Sequence, residues 1–367
     1  MADVDVLIVG GGVVGLAVAR AFGRRGVDVM VLEKGEQCGQ GLSSRNSGVI
    51  HAGLYYSDNS LKRSLCIDGR DALYNYAKDR GIPYRNCGKY IVATNSSEIL
   101  GLKTILEARK DDSRVPLREA SPDEVRERNE GIECLAALYS PLSGIIDQWE
   151  YSLALQGETQ ALGVSLVCNT TVHDFTKNKD EYNVTYSSNG VGDVHHITCR
   201  RLVVAAGLGT DEVIFPSYPN LGKNLTRIRF VKGTWYTAQG VKTSFENLIY
   251  PVPTEYGLGV HLTFDMSGQV MFGPDTESIP RPDFSVSSSN REDIRKVVAR
   301  YFPKIMVAEM EPVMASVRPQ LVATPRDFEI VEGSTFGLTH SIFLRGIESP
   351  GLTASLAIGD TVAQRLS

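Results

Sequence analysis

Val4-Asp5-Val6-Leu7-Ile8-Val9 runs directly into Gly10-Gly11-Gly12-Val13-Val14-Gly15, and this junction decides the fold. The first six residues form an apolar, β-branched run of strand length, and Leu16 to Gly23 follows with Ala, Leu and Val at helical spacing. Gly26 stops that helix, and a second strand is expected over Val27–Leu32, ending at Glu33. The unit is strand–helix–strand. In the G-x-G-x-x-G spacing, Gly10 permits the tight turn, Gly12 lets the backbone approach a pyrophosphate, and Gly15 lets the helix lie close on the strand. The helix N-terminus then faces the phosphates, with Val13 and Val14 in its first turn. Glu33 is placed to accept from a ribose hydroxyl, which disfavours a 2′-phosphate and hence NADP, but the fingerprint alone does not separate NAD from FAD.

The next segment selects between them. Gly39 to Tyr56 is polar and glycine-rich, and a plain NAD enzyme has no need of it. A flavin does, because its ribityl chain and second phosphate continue past the first helix and need donors. Ser43, Ser44, Arg45, Asn46, Ser47 and Gly48 supply hydroxyls, a guanidinium, an amide and backbone. Downstream, Leu202-Val203-Val204-Ala205-Ala206-Gly207 reads as a buried parallel strand whose small terminal residues, Ala206 and Gly207, let a cofactor pass close.

The run Asn46-Ser47-Gly48-Val49-Ile50-His51-Ala52-Gly53-Leu54-Tyr55-Tyr56 resembles a signature of the FAD-dependent D-amino-acid oxidase superfamily, and within it the L-2-hydroxyglutarate dehydrogenase branch. Further similar segments are Ser60-Leu61-Lys62, Cys87-Gly88-Lys89, Gly144-Ile145-Ile146-Asp147, Ile249-Tyr250-Pro251-Val252-Pro253, Gly259-Val260-His261-Leu262-Thr263 and Ser349-Pro350-Gly351-Leu352-Thr353. The Val317-Arg318-Pro319-Gln320 run is similar to a shorter subgroup of that branch. The resemblance implies FAD as cofactor, with Lys34 and Val172 added to its contacts. It implies oxidation of a small 2-hydroxy acid such as L-2-hydroxyglutarate by hydride transfer to flavin, with a quinone or other electron acceptor. The rivals are an amine or amino-acid oxidase of the same superfamily, acting on sarcosine, glycine or a D-amino acid, and a non-catalytic flavoprotein.

The expected fold class is α/β: a Rossmann-type FAD-binding domain with a second α+β substrate domain built on an antiparallel sheet. Turn and strand signals divide the chain into FAD-binding residues 1–86, 145–225 and 329–367 and substrate-domain residues 87–144 and 226–328. Helices are expected over Arg70–Arg80, Leu100–Arg109, Pro122–Asn129, Tyr151–Leu162 and Leu352–Leu366. Strands are expected over Gly88–Thr94, Val164–Cys168, Tyr182–Ser187 and His195–Thr198.

The closing helix, preceded by Ser349-Pro350-Gly351, presents free backbone N–H groups, and in the resembling family these face the flavin's pyrimidine edge. Oxidising an alcohol beside a carboxylate requires a cation for the carboxylate and a base for the hydroxyl proton. Of six histidines, His195 and His196 adjoin in an edge strand and His173 and His340 have no motif around them. His261 is the candidate substrate ligand or base, His51 the flavin neighbour or alternative base. Arg318 is the carboxylate clamp, Tyr250 a hydrogen-bond partner for substrate, and Lys89 a weaker candidate for the same task.

Composition bounds the rest. The 367 residues suit two folding units, and 38 basic against 43 acidic residues give a net charge of −5 without basic clusters, which excludes nucleic acid as a partner. Six scattered cysteines form no close pair in the sequence and lack metal-ligand or redox-motif spacing, so no metal is expected, and a reducing compartment, cytoplasmic or other intracellular, suits them as buried free thiols. Asp3 and Asp5 ahead of the first apolar run argue against a signal peptide. No stretch has the length of a membrane span, and peripheral membrane contact stays open.

Overall fold

The chain's apolar strands build two large sheets that face each other across a cleft. A computed structural model describes residues 2–188, 192–240, 244–253, 259–323 and 326–367. Among these, the first sheet has a parallel core in the order 165–167, Val29–Leu32, Val4–Val9, Val194–Val204, Ser341–Arg345. Glu329–Glu332 pairs antiparallel beyond it, and a hairpin of Thr170–Asn178 and Glu181–Ser188 pairs with the first half of Val194–Val204. Strands so flanked are apolar almost throughout: Val6, Leu7, Ile8, Leu202, Val203 and Val204 are fully buried.

Three helices cover one face. Val13–Gly23 packs on the closing helix Gly351–Arg365, and the latter on Leu61–Arg80. Two glycines set these distances. A Cβ on Gly15 would overlap the Gly10 carbonyl oxygen, and one on Gly359 would overlap the Ala17 carbonyl oxygen of the first helix. Ser60 caps Leu61–Arg80 by accepting from the Arg63 N–H, and Gly81 ends it with φ of +67°.

The second sheet has nine strands among the described residues. Its backbone is the long antiparallel pair Ile228–Gln239 and Glu309–Leu321. Val270–Gly273, His261–Phe264 and Leu248–Pro251 continue it, and Lys89–Ala93 joins parallel to Leu248–Pro251. The sheet is thus mixed at one junction, where the pattern predicted an antiparallel arrangement. A core of Tyr90, Tyr236, Leu248, Ile249, Leu262 and Phe272 fills its far side.

Several element limits differ from expectation for identifiable reasons. The helix expected from Arg70 begins at Leu61, because Ser60 is its cap and Lys62-Arg63 does not interrupt helical geometry. His195–Thr198 and Leu202–Val204 are one continuous strand whose two halves pair with different neighbours. Arg291–Ala299 is a helix inside residues 226–328, for which no helix is expected from the sequence.

Candidate active site

One cavity of about 1310 Å³ runs between the sheets, lined from both. At the end of the cavity beside the first sheet, Gly12 is extended (φ −69°, ψ 174°) and precedes a helix whose first turn carries no acidic side chain. The Val13 N–H donates to Ser43 Oγ at 3.0 Å. Glu33 accepts from the Gly11 N–H at 2.6 Å and the Gly35 N–H at 2.7 Å, so its carboxylate is fixed at the cavity wall by two backbone donors. Gly10, Gly12, Val13, Val14, Glu33, Lys34, Ser43, Arg45, Asn46, Ser47, Val172, Ala206 and Gly207 all line the cavity.

Gly15, Ser44 and Gly48 do not. Gly15 acts through helix–strand contact, Ser44 Oγ donates to the Gly41 carbonyl at 3.3 Å, and Gly48 holds a φ of +65° against the Ile146 carbonyl. Asn46 is used partly by its own loop, donating to the Ser43 carbonyl at 2.7 Å and accepting from the Gly48 N–H at 2.9 Å. The guanidinium of Arg45 stacks over the Phe284 ring at 4.7 Å, tying this loop to the second sheet's side of the cleft. Cys38 Sγ and Cys168 Sγ, 130 residues apart in sequence, lie 3.9 Å apart, brought together by the turn after Glu33 and the strand that pairs beside it. Burial pushes the Cys38 thiol up to about 12.

The closing helix opens on the same cavity. Pro350, Gly351, Leu352 and Thr353 line it, no side chain of its own N-cap covers the helix end, and its first turn has no acid. Its N-terminus therefore offers a partial positive charge to the cavity. Thr353 Oγ1 accepts from the His51 N–H at 3.1 Å, and Ser349 Oγ lies 3.2 Å from His51 Nε2.

The second sheet supplies the remaining walls through its register. Cross-strand partners point to one side. Arg229 pairs with Gln320, Val231 with Arg318, and Gly233 with Ser316, and all six line the cavity. A Cβ on Gly233 would come within 3.0 Å of Arg318 Nη2, so the missing side chain leaves room for that guanidinium. Arg318 forms no ion pair among the described residues, although Glu348 and Asp275 are close enough to act on it. Arg229 Nη2 donates to Gln320 Oε1 at 3.0 Å, while its Nε is buried without a partner. Gln320 in turn donates to Glu348, and Glu348 pairs with the buried Lys62 at 2.8 Å.

Next along the same sheet, Ile249 pairs with Leu262, which sets Tyr250 beside His261. The Tyr250 and His261 rings stack, centroids 3.9 Å apart and 18° from parallel, and Trp235 meets His261 edge-on at 5.1 Å. His261 Nδ1 lies 3.1 Å from the Gly259 carbonyl. A carbonyl only accepts, so Nδ1 carries the proton and the lone pair sits on Nε2. Burial drives the pKa of His261 well below its ordinary value, with smaller effects of His51, Lys89 and Arg318 in the same sense. Burial, then the Lys89 charge, lowers His51 to about 3. Both imidazoles are neutral at pH 7, the protonation state of a base.

His51, His261, Tyr250 and Arg318 thus share one cavity although they are up to 267 residues apart in sequence. Lys89, read as a substrate contact, does not line the cavity; it sits beneath it, its Nζ 4.5 Å from the Tyr250 ring centroid. His195 and His196 are exposed, and His173 bonds Ser187. Arg229, Trp235, Tyr56, Lys62 and Glu348 line the cavity without having been singled out as site residues. Lys62 and Tyr56 lay inside quoted segments, and only strand register brings Arg229 and Trp235 in.

Comparison with known proteins identifies the family and the fold. A family profile described as FAD dependent oxidoreductase matches residues 5–365. A mitochondrial L-2-hydroxyglutarate dehydrogenase of Arabidopsis thaliana is 33% identical over 401 residues, covering 99% of this chain and 83% of that protein. An L-2-hydroxyglutarate dehydrogenase of Escherichia coli strain K12 is 27% identical, covering 99% and 93%. Among solved structures, the dithionite-reduced, FAD-bound L-alpha-glycerophosphate oxidase of Mycoplasma pneumoniae superposes with a TM-score of 0.83 at 25% identity, covering 99% and 94%. A glycine oxidase from Geobacillus kaustophilus shares the fold, with a TM-score of 0.84 at 19% identity, covering 100% and 96%.

Proposed function

The chain belongs to the FAD-dependent oxidoreductase family, and from that membership we propose that it oxidises a small 2-hydroxy acid with two carboxylates, L-2-hydroxyglutarate, to the 2-oxo acid. The cavity fits the cofactor. It is large enough for a dinucleotide with a small acid beside it, and two helix N-termini without acidic first turns open onto it. Gly12 leaves backbone open where a Cβ would reach within 3.1 Å of Ser43 Oγ. Gly12, Val13 and Val14 would hold the phosphates and Glu33 a ribose, while Ser43, Arg45, Asn46, Ser47, Val172, Ala206 and Gly207 line the path onward to Leu352 and Thr353. Bound there, FAD supplies a two-electron acceptor.

The protein's own residues do the rest. The observation that carries the substrate reading is the pair of arginines, Arg318 and Arg229, on one cavity-facing sheet surface with no ion-pair partner among the described residues. Arg318 presents its fork to the carboxylate next to the reacting carbon, and the guanidinium of Arg229 on the same sheet surface faces the distal one. His261, neutral and with its lone pair on Nε2, receives the hydroxyl proton as the carbon is oxidised. His51, tied to the closing helix, is the cofactor's neighbour. The positive end of that helix stabilises negative charge gathering in front of it. The names of the two dehydrogenases above favour the same substrate. Electrons leave to a quinone or another acceptor, and the six free thiols suit a reducing intracellular compartment. Among the described residues no helix is long and apolar enough to cross a membrane.

Turnover with a redox dye as acceptor tests the reading. L-2-Hydroxyglutarate should give the 2-oxo acid at a rate far above sarcosine, glycine, D-amino acids or glycerol 3-phosphate. Preference for an amine would overturn it.

A further inference from the structure

Lys89 is 1% exposed, yet it has no ion-pair partner among the described residues. Its Nζ instead lies between two aromatic faces, 4.7 Å from the Tyr55 ring centroid and 4.5 Å from that of Tyr250. Lys89 pairs in register with Leu248, two residues before Tyr250, so the lysine and the tyrosine rise from the same side of the sheet. The other face of the Tyr250 ring carries the stacked imidazole of His261. The hydroxyls of Tyr55 and Tyr250 are both buried without partners. Neither ring is therefore fixed by its polar end; each is placed by the apolar core around it and by the ammonium between them, and Tyr250 also by the stacked imidazole. A desolvated cation over an aromatic face is an attractive contact of specific geometry.

We propose that Lys89 is a positioning residue of the active site, its ammonium wedged between Tyr55 and Tyr250 to hold the Tyr250 ring against the imidazole of His261. This rests on the reading of His261 as the base. The arrangement costs stability, since burial draws the ammonium down to about 7. The ionisable groups that face this column are His51 and Tyr55 from the loop after Val49–Ile50, Cys66 from the Leu61–Arg80 helix, and Cys87 just before the Lys89 strand. Tyr250, His261 and Arg318 face it from their strands, and Tyr301 from the turn behind them. Of these only Lys89 and Arg318 are cations, and Arg318 stands on the cavity side.

Three variants test the role: Lys89→Met removes the charge at similar length, Lys89→Arg keeps it, and Tyr55→Leu removes the opposite face. Each is purified with its flavin, and histidine ring resonances are followed by 13C NMR, with His261 assigned from His261→Ala. In Lys89→Met the His261 signal should shift and titrate at higher pH than in the parent, kcat should fall about tenfold or more, and KM should change by less than about twofold. Lys89→Arg should restore the parent's His261 signal and most of kcat. An unshifted His261 signal with full kcat in Lys89→Met overturns the proposal. So does a raised KM alone, which would make Lys89 a substrate contact, or equal loss in Lys89→Arg, which would make its role one of volume. Should Lys89→Met fail to fold, Tyr55→Leu decides by the same readings. The NMR reading needs no substrate, so a wrong assignment of the hydroxy acid leaves it intact.

Discussion

The two walls of the cavity are built on opposite plans. The nucleotide wall is made largely of backbone: Gly12, the N–H groups of two helix ends, and a carboxylate, Glu33, held by the Gly11 and Gly35 N–H groups. The facing wall is made of side chains, and Arg229, Arg318, His261, Tyr250 and Trp235 reach it from five strand positions aligned only by pairing. Backbone recognition needs residues without side chains at fixed spacing, so it tolerates almost no substitution. Side-chain recognition divides its work, so single changes there should be graded.

The largest effect is therefore expected where the backbone wall is supported from behind, at the helix–strand contact of Gly15. Gly15→Val should give protein without flavin or no folded protein, because even a Cβ overlaps the Gly10 carbonyl; flavin absorbance per protein reads this. On the other wall, His261→Ala should keep its flavin and lose turnover by at least about a hundredfold. Full activity in that variant would remove His261 from the role of base. Arg318→Lys should raise KM by about tenfold with a smaller change in kcat, since a point charge replaces a fork. An unchanged KM would erase the contrast between the walls at this position.

Smaller effects follow from buried charge. Unfolded histidine takes a proton near pH 6.5, whereas His51 in the fold resists until about 3. The unfolded state thus binds more protons across that window, and the contribution of His51 to stability should fall as pH drops below about 6.5 and be constant above it. Urea unfolding at a series of pH values measures the slope, which His51→Asn should reduce. Lys89 shows the same sign in a higher window. Its folded value near 7 lies below the ordinary 10.5, so stability is lost as pH falls from 10.5 to 7. Lys89→Met should therefore melt several degrees higher at neutral pH, even as turnover falls.

The contrast also explains what was legible in the sequence. Gly10, Gly12, Gly15 and Glu33 announce themselves because their task is local: one turn, one helix end, one strand end. The closing helix was legible for the same reason. Arg229 and Trp235 carry no such mark, since the Arg229–Gln320 and Trp235–His261 relations exist only after distant strands have paired. His261 and Arg318 were found through the runs around them, and Lys89 was found but misplaced, because side-chain depth is not written in a strand's alternation when both of its faces are covered. Ser44 stands off the cavity for the opposite reason: a polar loop residue spends its hydroxyl on the loop itself.

In the proposed reaction a flavin held by the backbone wall takes electrons from a two-carboxylate hydroxy acid held by the side-chain wall. Anaerobic addition of L-2-hydroxyglutarate to the purified yellow protein tests it most directly. The flavin absorbance should bleach, and the same concentration of L-lactate, which lacks the distal carboxylate, should bleach it far more slowly. Bleaching by glycine, sarcosine or a D-amino acid with none by L-2-hydroxyglutarate would contradict it.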